Sequence, residues 1–358
     1  MDLSDLRAKI DQIDRQIVQL LRERAKVAVE IGRVKHAEGM PAFDPAREQA
    51  VLDRVAGGDT DPLPKSALRA IFTEIMSACR AIEEPVSVAY LGPEYTFSHL
   101  AATARFGNGA EYIECQSITE VFAAVEHGRA RVGVVPVENS LSGTVSETLD
   151  CLLRSDLHIL GEHYQRIEQS LLSKGTLDTI RTVYSHPHAF AQCRRWLKEN
   201  LPTAELLLAA STAAAARAAA EAGETAAAIA TAAAAEPYGL EVLARGIEDD
   251  PTNRTRFFIV GHGRTDPTGR DKTSLVFATP HRAGALHEAL TSLRIYGINM
   301  TMIQSRPAQG RLWNYVFFVD IEGHERDDVV ARALDDLRGR TSHLAVLGSY
   351  PAAENGDE

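Results

Sequence analysis

Cysteine is scarce, basic residues are outnumbered, and no long stretch is free of charge. The 358 residues hold 4 cysteines, Cys79, Cys115, Cys151 and Cys193, without a C-x-x-C pair or metal-ligand spacing. This argues against a disulfide framework or a zinc site, and a reducing cytoplasm fits better. Lysine and arginine number 38 against 49 acidic side chains, a net charge of −11. A nucleic-acid or anionic-membrane partner is disfavoured, although local basic patches can still bind small anions. The most apolar long segment, 206–235, is interrupted by Arg217, Glu221 and Glu224, so it reads as alanine-rich helix and not as a membrane span. Charge begins at Asp2, where a signal peptide would need an apolar core. The length suits two or three domains.

What is present divides into three patterns. In residues 1–84, Leu3, Leu6, Ile10, Ile13, Ile17, Leu20, Val27, Ile31 and Val34 follow steps of three and four, with Arg24 filling the one vacancy. The spacing predicts a helix of roughly 30 residues, about 45 Å long, whose seam asks for dimerisation across a twofold axis. An arginine on such a seam is costly unless paired or kept for a ligand. Lys35 projects from nearly the same face, whereas Arg7 lies about 25 Å from Arg24 along the helix and would serve one small ligand only from a partner chain. Asp44-Pro45 opens a second helix bearing Arg47 and Glu48. A third starts near Pro64, with Cys79 on its apolar stripe and Glu83 one turn on.

Residues 85–264 alternate strands with helices, the parallel-sheet pattern, in two sets with Asn253 onward returning as a strand. At 131–153 a valine-rich strand (Val132, Val134, Val135, Val137) stops at Glu138, Asn139, Ser140, Ser142 and Thr144 and gives way to helical spacing at Val145, Leu149 and Leu152. Ligands of open α/β sheets bind at such strand ends. Beyond a polar linker at 265–271, strands at 273–278, 299–306, 313–321 and 344–350 and helices at 284–296 and 327–338 follow the βαββαβ ferredoxin-like order.

The string Val-Pro-Val-Glu-Asn-Ser at 135–140 resembles a prephenate dehydratase signature, and 90–98, 185–192 and 253–257 resemble that family's other motifs in the same order. With its flanking segments, the whole chain resembles the bifunctional chorismate mutase and prephenate dehydratase family of phenylalanine biosynthesis. The resemblance implies a multidomain fold. Residues 1–84 form an all-α three-helix chorismate mutase domain, 85–264 an α/β two-lobed dehydratase domain like periplasmic binding proteins, and 272–358 an α+β ferredoxin-like ACT domain. It implies no cofactor and no metal. Arg7 of a partner chain, Arg24, Lys35, Asp44, Arg47, Glu48, Cys79 and Glu83 would serve the mutase site, with Glu83 standing where many relatives carry Gln and Cys79 where Ser is common. Thr255 would be the dehydratase proton donor or its relay, with Arg256 and Phe257 positioning substrate and cleft, Thr96, Ser98, Asn139, Ser185 and Gln192 lining the cleft, and Glu138 structural or catalytic. Thr212 opens a helix whose free N–H groups suit a carboxylate. Tyr95 replaces a usual Gly, and His188 a common Gln. Gly284, Ala285, Leu286 and Gln304, Ser305, Arg306, Pro307 resemble the phenylalanine-binding motifs of ACT domains, with Gln304 in place of the commoner Glu.

The expectation is therefore a cytoplasmic homodimer or larger assembly that takes chorismate and prephenate as substrates and L-phenylalanine as effector, with no nucleic-acid or membrane partner. Two alternatives are a dehydratase with a vestigial mutase unit and a non-catalytic amino-acid sensor on a solute-binding fold. The sensor is opposed by Thr255-Arg256-Phe257 and by the lack of a secretion signal.

Overall fold

The computed structural model describes residues 2–39, 43–307 and 315–353. It opens with three helices, α1 (Leu3–Ala37), α2 (Pro45–Ala56) and α3 (Lys65–Glu83). Helix α1 runs for 35 residues from a capping box in which Asp2 and Asp5 satisfy each other's amides. Its apolar seam stays outside: no α1 residue is buried. Asp44 caps α2 by accepting from the Arg47 amide at 3.0 Å, with Pro45 at the first helical position.

Two lobes follow. The first holds β1 (Ser87–Leu91), α4 (Phe97–Phe106), β2 (Glu111–Cys115), α5 (Ile118–Glu126), β3 (Val132–Asn139), the short β4 (Gly143–Thr144), α6 (Ser146–Leu152) and β5 (His158–Arg166). The second holds β6 (Ser170–Ser173), β7 (Thr182–Ser185), α7 (Pro187–Gln192), α8 (Arg194–Asn200), β8 (Glu205–Leu208), α9 (Thr212–Ala222), β9 (Ala226–Ala230) and β10 (Glu241–Arg245). Strand β11 (Arg254–Gly261) then returns to the first lobe. The first sheet has the order β2-β1-β3-β11-β5, with β4 beside β3, and the second β10-β6-β9-β7-β8. The chain crosses between lobes twice, and the crossings hold each other through Ile167 N to Asn253 O (2.9 Å) and Ile247 N to Gln169 O (3.1 Å).

Strands β1, β2 and β3 pair parallel, as their alternation with helices predicts, and the returning β11 makes the first sheet mixed by inserting antiparallel between β3 and β5. Two expectations are corrected here. The alanine-rich run is not all helix: Leu206–Leu208 fall in β8, and Ala226–Ala230 form a fully buried strand between β6 and β7, packed beneath α9. Alanine's helix preference yields there to a site in mid-sheet where only small side chains leave room for α9. The helix expected over 187–200 breaks at Cys193 into α7 and α8.

The last unit is β12 (Asp271–Ala278), α10 (Ala285–Ile295), β13 (Met300–Pro307), β14 (Tyr315–Glu322), α11 (Asp328–Arg340) and β15 (His343–Pro351), an antiparallel sheet ordered β13-β14-β12-β15. The expected strand start at Trp313 lies outside the described residues. Leu275, Phe277, Val319 and Ile321 bury one face against α10 and α11. Val276, Phe318, Leu347 and Tyr350 carry the other face into one core with Ile159, Phe258 and Val260 of the first lobe. Gly348 permits that approach, since a Cβ there would stand 2.1 Å from the Ile159 carbonyl oxygen. The segment expected as a linker is pinned to this unit, with Thr265 buried and its hydroxyl donating to the Ser349 carbonyl.

Candidate active site

A cleft of about 450 Å³ opens where the lobes meet, lined by Thr96, Phe97, Ser98, Asn139, Gln169, His186, His188, Gln192, Ser211, Thr212, Thr255 and Phe257 among others. No lysine, arginine, aspartate or glutamate lines it among the described residues. Helices α4 and α9 turn their N-terminal residues toward it, capped by Thr96 (accepting from His99 N, 3.4 Å) and Ser211 (accepting from Ala214 N, 3.0 Å). An anion entering this cleft meets backbone N–H groups and helix dipoles and no fixed cation.

Asn139, the last residue of β3, organises the centre. Its Oδ1 accepts from the Leu141 and Ser142 amides at 3.1 and 2.9 Å, which assigns Nδ2 as the donor that reaches Asn253 Oδ1 (2.8 Å) and Thr255 Oγ1 (2.9 Å). Thr255, which lines the cleft, thus accepts from the amide and keeps its own hydroxyl hydrogen for donation. Gln192 is fixed by Gln169, whose Nε2 donates to Gln192 Oε1 at 3.0 Å. The Gln169 Oε1 is buried with no hydrogen-bond partner, an acceptor waiting at the cleft wall. His186 accepts from the His188 amide through Nδ1 (3.3 Å) and stacks on the His188 ring at 5.3 Å. Burial, and then the neighbouring His188, lower the pKa of His186 and favour its neutral form.

In the helical unit, α1 and α3 bring two pairs together. The Arg24 guanidinium lies 2.8 Å from Cys79 Sγ, and a groove of about 420 Å³ is lined by Lys35, Gly32 and Glu83. A Cβ at Gly32 would stand 2.6 Å from Glu83 Oε2, so the missing side chain lets that carboxyl lie against α1. Burial raises the pKa of Glu83 and the charge of Lys35 opposes the rise. Arg7 and Arg47 are exposed. At the other end of the chain, Gly284, Ala285 and Leu286 line a cavity of about 250 Å³ with Arg282, Tyr315 and Phe317. Gly284 takes φ +79°, where glycine is favoured. Gln304, Ser305, Arg306 and Pro307 lie on the sheet's edge strand β13 and do not line that cavity. Arg306 reaches Asp150 of α6 at 2.6 Å.

Comparison with known proteins gives these units names. Residues 6–84 match chorismate mutase type II, residues 88–265 prephenate dehydratase and residues 273–339 the ACT domain. A bifunctional chorismate mutase/prephenate dehydratase of Aquifex aeolicus is 44% identical over 357 residues, covering 98% of both chains. One from Neisseria gonorrhoeae is 45% identical over 350 residues, covering 97% of this chain and 96% of its own. The chain belongs to the bifunctional chorismate mutase/prephenate dehydratase family. A solved prephenate dehydratase from Arthrobacter aurescens, in complex with L-Phe, superposes with TM-score 0.70 at 35% identity, covering 75% of this chain and 91% of that one.

Against the pattern expected of that family, Thr96, Ser98, Asn139, Gln192, Thr212, Thr255 and Phe257 converge on one cleft. Three residues depart from it, and Glu138, for which a structural role stayed open, also falls outside the cleft. Arg256 is 4% exposed and faces away from the cleft, bonded to Glu162 and Asp320, because strand alternation sends it opposite to Thr255 and Phe257. Glu138 pairs in register with Arg256 and shares that outward face. Ser185 is fully buried and donates to the Ile229 carbonyl at 2.8 Å, joining β7 to β9. Glu48 is buried between Arg80 (2.9 Å) and Arg105 (2.8 Å), a contact between the helical unit and α4 and not part of the Lys35 groove. Gln169, His186 and Gly32 were missed. The motif at 185–192 contained His186, but nothing local marks Gln169, which reaches the cleft only because the chain crosses lobes there.

Glu83 donates a hydrogen bond only while protonated. With its pKa raised, mutase activity should decline as pH rises through that pKa, and Glu83→Gln should flatten the decline. A wild-type pH profile in the variant rules out the donor role.

Proposed function

We propose that this chain converts chorismate to prephenate in its helical unit and prephenate to phenylpyruvate in the two-lobed cleft, under inhibition by L-phenylalanine, as a cytoplasmic homodimer. The domain limits that go with this reading are 1–84, 85–264 and 272–358. The observation that carries it is Thr255 held by Asn139 in a cleft that no lysine, arginine, aspartate or glutamate lines among the described residues.

Prephenate loses carbon dioxide and hydroxide together. The electron pair of the breaking carboxylate bond flows into the ring as it becomes aromatic, and the ring hydroxyl departs. A hydrogen bond from Thr255 to that oxygen, with a proton passed on from solvent, lets it leave as water. The carboxylates are served by the N-terminal turns of α4 and α9. Thr255→Ala should abolish dehydratase turnover and leave the mutase rate intact, which coupled assays of prephenate and phenylpyruvate would read. Retained dehydratase turnover would refute the role of Thr255.

Dimerisation is supported by the seam of α1, where eleven aliphatic side chains from Leu3 to Val34 stand exposed. These side chains are already about half covered, so burying the rest gains roughly half of the 1.5 kcal/mol or more of a full burial each, and the two chains' seams together are comparable with a cost of association of about 4–15 kcal/mol. Arg7 of one chain then reaches Arg24 and Lys35 of the other, where cations hold the chorismate dianion and Lys35 with Glu83 meets its ether oxygen. The single-activity reading, with a vestigial mutase, is favoured only by the burial of Glu48. Arg7→Ala and Arg24→Ala should each abolish mutase activity, and their mixture, after subunit exchange, should recover it in the mixed dimers, which have one intact site of two. No recovery despite demonstrated exchange would contradict the shared site.

A further inference from the structure

Between the first-lobe sheet and the C-terminal sheet lies a charged cluster that the chemistry above does not use. Arg256 and Lys272 face Glu162 and Asp320, two cations against two anions. The guanidinium reaches Glu162 at 2.7 Å, Asp320 at 2.5 Å and the Tyr350 hydroxyl at 3.1 Å, while Lys272 meets Glu162 at 2.9 Å. Ser274 binds Asp320 at 2.5 Å and the Tyr350 hydroxyl at 2.6 Å. Arg256 is 4% exposed, Glu162 5% and Asp320 0%, so water contributes little to their solvation. Asp320 on β14, Tyr350 on β15 and Lys272 on β12 belong to the C-terminal sheet, whereas Arg256 sits on β11 between two residues that line the cleft.

A buried cation follows its anions. Removing one partner from such a set leaves a charge that the structure must move to accommodate. Any movement of the guanidinium is delivered to β11, one residue from both Thr255 and Phe257, and misplacing a reacting group by about 1 Å can cost on the order of a hundredfold in rate. Resting on the dehydratase reading given above, we propose that Arg256 is a positioning residue through which the C-terminal sheet sets the placement of Thr255, so that dehydratase turnover answers to the state of that sheet.

The test uses the full-length protein and two variants outside the cleft. Asp320→Asn keeps the size and hydrogen bonding of the side chain but removes its charge, and Tyr350→Phe removes one hydroxyl contact. Dehydratase kcat should fall about tenfold or more in Asp320→Asn and by about threefold in Tyr350→Phe, with KM held within about twofold and the mutase rate unchanged. Saturating phenylalanine should lower the turnover of Asp320→Asn by a smaller factor than it lowers the wild type. Wild-type kcat, or an unchanged inhibition factor, in a folded Asp320→Asn protein overturns the proposal. Should that variant fail to fold, wild-type kcat in Tyr350→Phe does the same. A wild-type protein without dehydratase turnover would instead sink the functional reading itself.

Discussion

A guanidinium taken almost wholly out of water has to be met by anions on the side it faces, and for Arg256 those anions are Glu162 of its own sheet and Asp320 of the C-terminal one. This pairing fixes which way β11 presents its side chains. With Arg256 turned back, alternation sends Thr255 and Phe257 forward into the cleft. The same strand inserts between β3 and β5 and lies beside both interlobe crossings. One strand therefore joins the lobes, supplies the cleft wall and anchors the C-terminal unit.

The dehydratase reading proposed for the cleft would have neutral parts meet a dianion. Helix N-termini, side-chain amides and hydroxyls replace the fixed cations that would otherwise be expected. Such dipoles can favour charge that shifts during a reaction without holding a carboxylate so tightly that it resists departure as carbon dioxide. The helical unit works by the opposite arrangement. Arginines and Lys35 on α1 suit a rearrangement in which nothing leaves and the dianion has only to be held in shape.

The three-part architecture was legible because its signals are local: a seam in steps of three and four, an N-cap followed by proline, and a βαββαβ order. Motifs placed Asn139 and Thr255 at a cleft for the same reason. What could not be read depends on partners distant in sequence. Glu48 looks like any helical carboxylate until Arg105 from α4 is packed against it. Arg256 shares a motif with Thr255, yet its role follows from Asp320, 64 positions away. A strand of four alanines and one isoleucine, Ile229, carries almost no alternation, so Ala226–Ala230 offered little period to set against alanine's helix preference.

The most direct test is a crystal structure of the full-length chain with an unreactive prephenate analogue. The account predicts the analogue in the interlobe cleft, with the oxygen that stands for the leaving hydroxyl about 3 Å from Thr255 Oγ1. Its carboxylates should lie at the N-terminal turns of α4 and α9, with Arg256 still bound to Asp320. An analogue held by lysine or arginine, or an Arg256 released from Asp320 to enter the cleft, would contradict it.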